Sequence, residues 1–207
     1  CYLNLADPDG ARLVETIEKY KAQIRFASWL GAGVVGTETG NPNSLYVPDP
    51  ASRTEEALYT FTKNLSCVVE YAEKMGVVVA IEPVCRHIVY DARRARQVLR
   101  SIQSPNLQII LDPVNLLDDC DAGRYKDVVK EAIELLGEDV AVIHVKDFSV
   151  SDGKIVSMAA GTGIMDYSDL IRFMKTDKPY IHATLEDTVP ENAVQAREFM
   201  ERLWNEA

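Results

Sequence analysis

The chain has 207 residues, 47% of them hydrophobic, and 32 acidic against 22 basic side chains give it a formal net charge of −10. That much apolar sequence can bury a sizeable core, while the acidic balance excludes a nucleic-acid or anionic-membrane surface, which needs clustered Lys and Arg. A small, neutral or weakly charged partner fits better.

Cys1, Cys67, Cys85 and Cys120 include no CxxC pair, a pattern of reduced thiols rather than of a disulfide framework. No apolar run approaches the roughly 20 residues that span a bilayer, and no charged-then-apolar leader opens the chain. A soluble, cytoplasmic protein is expected. The first five residues, Cys1-Tyr-Leu-Asn-Leu5, read as the end of a strand already under way, so a preceding portion is expected too.

Asp7-Pro-Asp-Gly10 is a turn whose Asp9 can cap a helix over 11–30, with Leu13, Ile17, Ile24, Ala27 and Leu30 at helical spacing. Glycines at 31 and 33 close it, and a short strand over 34–37 ends at Glu38. Residues 39–53 form a polar loop long enough to be a lid or a mouth loop. Thr54, Glu55 and Glu56 open a second helix carrying Leu58, Phe61, Leu65, Val68, Val69 and Ala72 on one face, ended by Gly76. The next strand, 77–81, is apolar at every position, the pattern of a strand covered on both faces.

The unit then repeats: helix 91–102, strand 107–111, helix 122–136, strand 140–145. A loop through Gly161-Thr-Gly163 leads to helix 167–174, strand 180–185 and helix 193–204. About six strand-then-helix units with no break in composition predict a single α/β domain over 1–207, with a parallel sheet and right-handed crossovers. An open doubly wound sheet usually carries a Gly-rich phosphate turn, and neither GxGxxG nor GxxxxGK[ST] occurs. Reactive residues at the ends of many strands suit a (β/α)8 TIM barrel instead, whose active site lies at the C-terminal ends of its strands. Six units rather than eight place the first two βα units ahead of Cys1.

Four of those strand ends carry chemistry: Glu82, Asp112, His144 and Glu186. Each has a plainer role open to it. Glu82 could be an exposed strand end, Asp112 a turn residue, His144 a core histidine bonded to a carbonyl, and Glu186 a helix cap. Their shared place in one repeating unit favours convergence on a divalent ion. One imidazole with three carboxylates suits Mn²⁺, Mg²⁺ or Co²⁺, and is compatible with Zn²⁺.

The motifs Ile81-Glu-Pro-Val84, Leu111-Asp-Pro-Val-Asn115, Ile143-His-Val-Lys-Asp147, Gly161-Thr-Gly163 and Leu185-Glu-Asp187 together resemble the xylose isomerase-like TIM barrel superfamily, in its sugar phosphate isomerase/epimerase branch. The resemblance covers the whole chain. It implies that Glu82, Asp112, His144 and Glu186 are the metal ligands, and that Glu82 and Glu186 double as the acid/base pair on opposite faces of a sugar. Where such epimerases carry a histidine three residues beyond the aspartate ligand, this chain has Asn115; where they often carry an arginine after the histidine ligand, it has Lys146 and Asp147.

Glu38, His87, Asn115 and Lys146 are the candidate substrate contacts, with Lys146 suited to an enolate oxygen or a phosphate. His182 reads as structural. The implied reaction is isomerisation or epimerisation of a small sugar or sugar phosphate through an enediolate, with a carboxylate removing the proton beside a metal-polarised carbonyl. An inosose dehydratase-like lyase and a noncatalytic sugar-binding barrel are the rival readings. With three histidines in all, the chain does not suit the histidine-rich site of the endonuclease branch. No nucleic-acid or membrane partner is expected, and a homo-oligomer is left open.

Overall fold

A computed structural model describes residues 3–207. The chain divides into two compact units, Cys1–Ile110 and Leu111–Ala207. In the first, helix α1 (Gly10–Leu30) starts where Asp9 accepts hydrogen bonds from the Ala11 and Arg12 amides, and it stops at Gly31, whose φ of 74° a glycine adopts without strain. Strand β1 (Val34–Glu38) follows, then helix α2 (Glu55–Met75), capped by the Thr54 side chain, strand β2 (Val78–Glu82), helix α3 (Ala92–Ile102) and strand β3 (Leu107–Leu111). Phe61, Leu65, Val68 and Ala72 of α2 and Val79, Ala80 and Ile81 of β2 are buried to 1% exposure or less. Complete burial of one such large side chain stabilises by roughly 1.5–3 kcal/mol.

The loop expected as a lid is pinned. Asn4 Nδ2 donates to the carbonyls of Asn41 and Asn43, Ser52 Oγ donates to Asn41 Oδ1, and residues Pro50–Arg53 form a 3-10 turn capped by Asp49. The strand read at the start of the chain begins on Cys1 and Tyr2, which lie outside the described residues; Leu3 and Asn4 are buried and sit in no strand.

The second unit holds helix α4 (Tyr125–Leu136), strand β4 (Val140–Val145), a ribbon of β5 (Asp147–Ser151) and β6 (Lys154–Met158), helix α5 (Ser168–Asp177), strand β7 (His182–Leu185) and helix α6 (Ala193–Glu206). The ribbon occupies a stretch that the sequence pattern leaves as loop. Asp152 and Gly153, with φ of 50° and 74°, make the tight turn of an antiparallel hairpin in which Ser151 pairs with Lys154. Helix α4 begins later than its apolar pattern, because residues Asp119–Arg124 are taken into a 3-10 turn by a capping box between Asp118 and Asp121.

The strand order is β1-β2-β3-β4-β7, with β5 and β6 apart from it. The pairs β1–β2, β2–β3 and β4–β7 run parallel. This is an α/β architecture in which parallel strands alternate with helices. Parallel pairing in register has a local consequence in each unit. Glu38 and Glu82 end β1 and β2 as direct neighbours, and Val145 of β4 lies opposite Leu185 of β7, so Lys146 and Glu186 leave their strands side by side.

Candidate metal centre

Asp112 follows the last residue of β3 and is fully buried. Its two oxygens have separate duties. Oδ1 accepts the backbone amides of Val114 and Asn115, each at 2.9 Å, closing an Asx-type turn. Oδ2 faces the Lys146 ammonium at 2.9 Å and His144 Nδ1 at 3.9 Å. The turn role and the ligand role set against each other in the sequence are thus compatible, one oxygen for each.

His144 projects from β4 with its side chain 15% exposed, and Nδ1 lies 3.0 Å from Glu186 Oε1. Glu186 is placed by its own backbone, whose amide donates to the Val145 carbonyl at 3.0 Å. Its other oxygen, Oε2, accepts a 2.8 Å hydrogen bond from Lys146 Nζ. The His144 imidazole beside it lowers the Glu186 pKa most, burial opposes, and Lys146 adds to the lowering, so the carboxyl is held well below its ordinary range and is ionised near neutral pH. For Lys146, burial disfavours the ammonium, but Asp112 and Glu186 outweigh it and hold the pKa above the usual lysine value.

Lys146 is drawn into the cluster itself. Its side chain is 6% exposed and is engaged by two carboxylates, which leaves no open face for a phosphate. The backbone amide of Asn115 donates to the Asp112 turn.

Asp147, next in the chain, is 1% exposed. Oδ1 accepts from the Phe148 and Met165 amides and Oδ2 from the Gly161 amide, and Tyr167 Oη donates to the Lys146 carbonyl at 2.9 Å. The Gly161-Thr-Gly163 segment thus wraps the carboxylate that follows Lys146. A Cβ at Gly163 would strike the Phe148 carbonyl and the Asp147 carboxylate.

In the first unit, Glu82 ends β2 with 5% exposure. Glu38 ends β1, and Tyr46 Oη donates to its Oε2 at 3.2 Å. His87 Nδ1 lies 3.7 Å from that same oxygen. Tyr46 was not singled out by the sequence pattern. His182 is exposed in β7.

The donor set suits a hard or borderline divalent ion. Asp112, His144 and Glu186 each offer one ligand atom, all within 4.8 Å of one another. Atoms bound to one ion at roughly 2.0–2.2 Å lie at most about 4.4 Å apart, so small side-chain adjustments bring the three into a single coordination sphere. No helix among the described residues is long and apolar enough to cross a membrane.

Several solved structures share the fold. A D-tagatose 3-epimerase-like protein superposes with a TM-score of 0.79 at 21% identity, over 99% of this chain and 75% of that one. The IolI protein, solved with a bound zinc atom, gives 0.71 at 18% identity over 98% of this chain and 75% of that one. The probable 3-DHS dehydratase AsbF from Bacillus anthracis gives 0.74 at 17% identity over 99% of this chain and 75% of that one. No curated protein sequence matches the chain. Over residues 1–203 the sequence does match a family model, and the chain belongs to the xylose isomerase-like TIM barrel family.

Proposed function

We propose that the protein is a divalent-metal-dependent isomerase or epimerase of a small sugar or polyol ketone. The observation that carries this reading is the meeting of Asp112, His144 and Glu186 at the ends of three strands. Fold neighbours described as a D-tagatose 3-epimerase-like protein and as a zinc-bound protein support it. Glu82, at the end of β2, is the proposed fourth ligand. Mn²⁺, Mg²⁺ or Co²⁺ suits the oxygen-rich set, and Zn²⁺ is compatible with its imidazole.

A bound ion would supply Lewis-acid polarisation of the substrate carbonyl. The chain's own residues account for the proton traffic. Glu186, kept ionised by His144 and Lys146, is present as the base at neutral pH and takes the proton beside the carbonyl. Glu82 returns a proton to the other face, which inverts the carbon. Lys146 balances the negative charge gathered by Asp112 and Glu186. The tight hold on Glu186 makes it a weak base, so electrophilic help at the carbonyl is what the reaction needs most.

A second reading, a dehydratase, is favoured by the likeness to AsbF; it uses the same base and expels a β-hydroxyl instead of returning the proton. Turnover in D₂O by the metal-supplemented full chain separates the cases. A panel of ketoses, ketose phosphates and inososes should include one substrate that gains deuterium at the carbon beside its carbonyl. Loss of water in place of exchange establishes the dehydratase. A metal-loaded protein that turns over none of the panel overturns both.

A further inference from the structure

We propose that Glu38, Tyr46 and His87 form a hydroxyl-recognising subsite that selects a neutral, unphosphorylated polyhydroxy substrate. The inference rests on the sugar-processing reading and narrows its substrate class. Its residues all belong to the first unit. Glu38 stands in register with Glu82 at the ends of β1 and β2. Tyr46 Oη donates to Glu38 Oε2 at 3.2 Å. His87 Nδ1 approaches the same oxygen to 3.7 Å, too far for a hydrogen bond, and is buried with no hydrogen-bond partner among the described residues. The Tyr46 and His87 rings meet edge to face with centroids 5.3 Å apart.

The loop is built to hold Tyr46 there. Its φ of 58° is in the left-handed region, which a tyrosine adopts only under constraint. Asn43 supplies the constraint on both sides, since its Oδ1 accepts from the Leu45 and Val47 amides and its Nδ2 donates to the Val47 carbonyl. Asn4 in turn holds the Asn43 carbonyl.

A carboxylate oxygen beside an unsatisfied imidazole nitrogen selects groups that donate and accept at once. A hydroxyl does both, donating its one hydrogen to Glu38 while accepting from His87 in the tautomer that carries its proton on Nδ1. Burial lowers the His87 pKa to about 4, against an opposing pull from Glu82, so the ring carries no positive charge to offer an anion at neutral pH. A phosphate would meet the carboxylates of Glu38 and Glu82 instead. Nearby guanidinium groups are engaged elsewhere. Arg53 donates to the Cys85 carbonyl and stacks on Tyr90, and Arg94 binds the Ile88 carbonyl and Glu55.

The test measures binding of D-tagatose, D-fructose and their 6-phosphates to the Mn²⁺-supplemented full chain by calorimetry. The neutral sugars should bind at least tenfold more tightly than the phosphates. His87→Phe should weaken the neutral sugars at least tenfold. Glu38→Gln, which keeps the shape and removes the charge, should shrink the discrimination several-fold, with bound Mn²⁺ unchanged in both variants. Tighter binding of the phosphates, no binding of either neutral sugar, or neutral-sugar affinities untouched by both substitutions would each overturn the subsite. Sugar binding lost in His87→Phe, with no deuterium exchange in the unaltered protein, leaves the subsite standing and sinks the isomerase reading; exchange that neither substitution alters does the reverse.

Discussion

Lys146 Nζ lies 2.9 Å from Asp112 Oδ2, with the two side chains 6% and 0% exposed, so the cluster contains a cation of its own. Removing one partner of a buried ion pair strands the other charge and destabilises by about 3–5 kcal/mol. Lys146→Met should cost that much in urea unfolding without added metal. Because the ammonium shares Asp112 with a prospective ion, the same substitution should tighten Mn²⁺ binding by tenfold or more in equilibrium dialysis, and saturating Mn²⁺ should recover part of the lost stability. A variant that binds Mn²⁺ more weakly than the unaltered protein would show that Lys146 supports the ion rather than competing with it.

His87 makes stability depend on pH. Burial, opposed by Glu82, brings its pKa down to about 4 from the ordinary 6.5. Between these values the unfolded chain binds the proton and the folded chain does not, so stability is full above pH 6.5 and falls as pH drops towards 4, by as much as roughly 3 kcal/mol. Urea midpoints at pH 7 and pH 5 should show a smaller loss for His87→Asn than for the unaltered protein. Equal losses would mean that other groups carry the acid sensitivity.

The strand ends were legible because chemistry sits at a fixed place in a repeating unit. Glu82, Asp112, His144 and Glu186 each follow or close an apolar run, and Asp112, His144 and Glu186 meet as that pattern predicts. The ribbon was not legible. Asp152-Gly153 is a strong turn signal, but the flanking Val150 and Val156 are solvent-exposed, so no continuous apolar alternation marks β5 and β6. Tyr46 was hidden for another reason. Its placement depends on Asn4, 39 residues from the Asn43 carbonyl it holds, and spacing along the chain carries no trace of that clamp. Lys146 looked available for a phosphate because neither of its carboxylate partners is near it in sequence.

Gly163 tests the segment that wraps Asp147. A methyl group there would strike the Phe148 carbonyl, which is backbone and cannot swing aside, and the Asp147 carboxylate. Overpacking of this kind costs typically about 1–3 kcal/mol, and displacing Asp147 frees up to three amides from their acceptor. Gly163→Ala should therefore lose at least about 2 kcal/mol in urea unfolding. Gly123→Ala, where a Cβ meets nothing within 4 Å, is the control and should stay within about 0.5 kcal/mol. Equal behaviour of the two would remove Asp147 from the support of the site.

Metal content separates ligands from neighbours. Asp112→Asn keeps the turn, because the amide oxygen can still accept the Val114 and Asn115 amides, yet it removes the charge that an ion needs. His144→Ala removes the one imidazole of the set. Both should fold and both should lose most of their bound Mn²⁺ by elemental analysis after dialysis. Full occupancy in the two variants would exclude a metal at this place.

The two glutamates carry the last prediction, because the proposal gives each a proton to move as well as an ion to hold. Glu186→Gln preserves an oxygen for Lys146 Nζ, which now donates at 2.8 Å, and removes the basic lone pair. Glu82→Gln, at the buried end of β2, removes the group proposed to return the proton. General acid/base help is worth roughly a hundred- to ten-thousand-fold in rate, and loss of a ligand adds to that deficit, so each variant should fall by at least a hundredfold with the true substrate. Raising Mn²⁺ until occupancy is restored isolates the proton-transfer part. If Glu186 is the base, Glu186→Gln at full occupancy still puts no deuterium on the substrate carbon. If Glu82 serves only to return the proton, Glu82→Gln at full occupancy exchanges that position without inverting the carbon. Wild-type rates in both variants would remove the two-carboxylate mechanism and leave the metal site as a binding device.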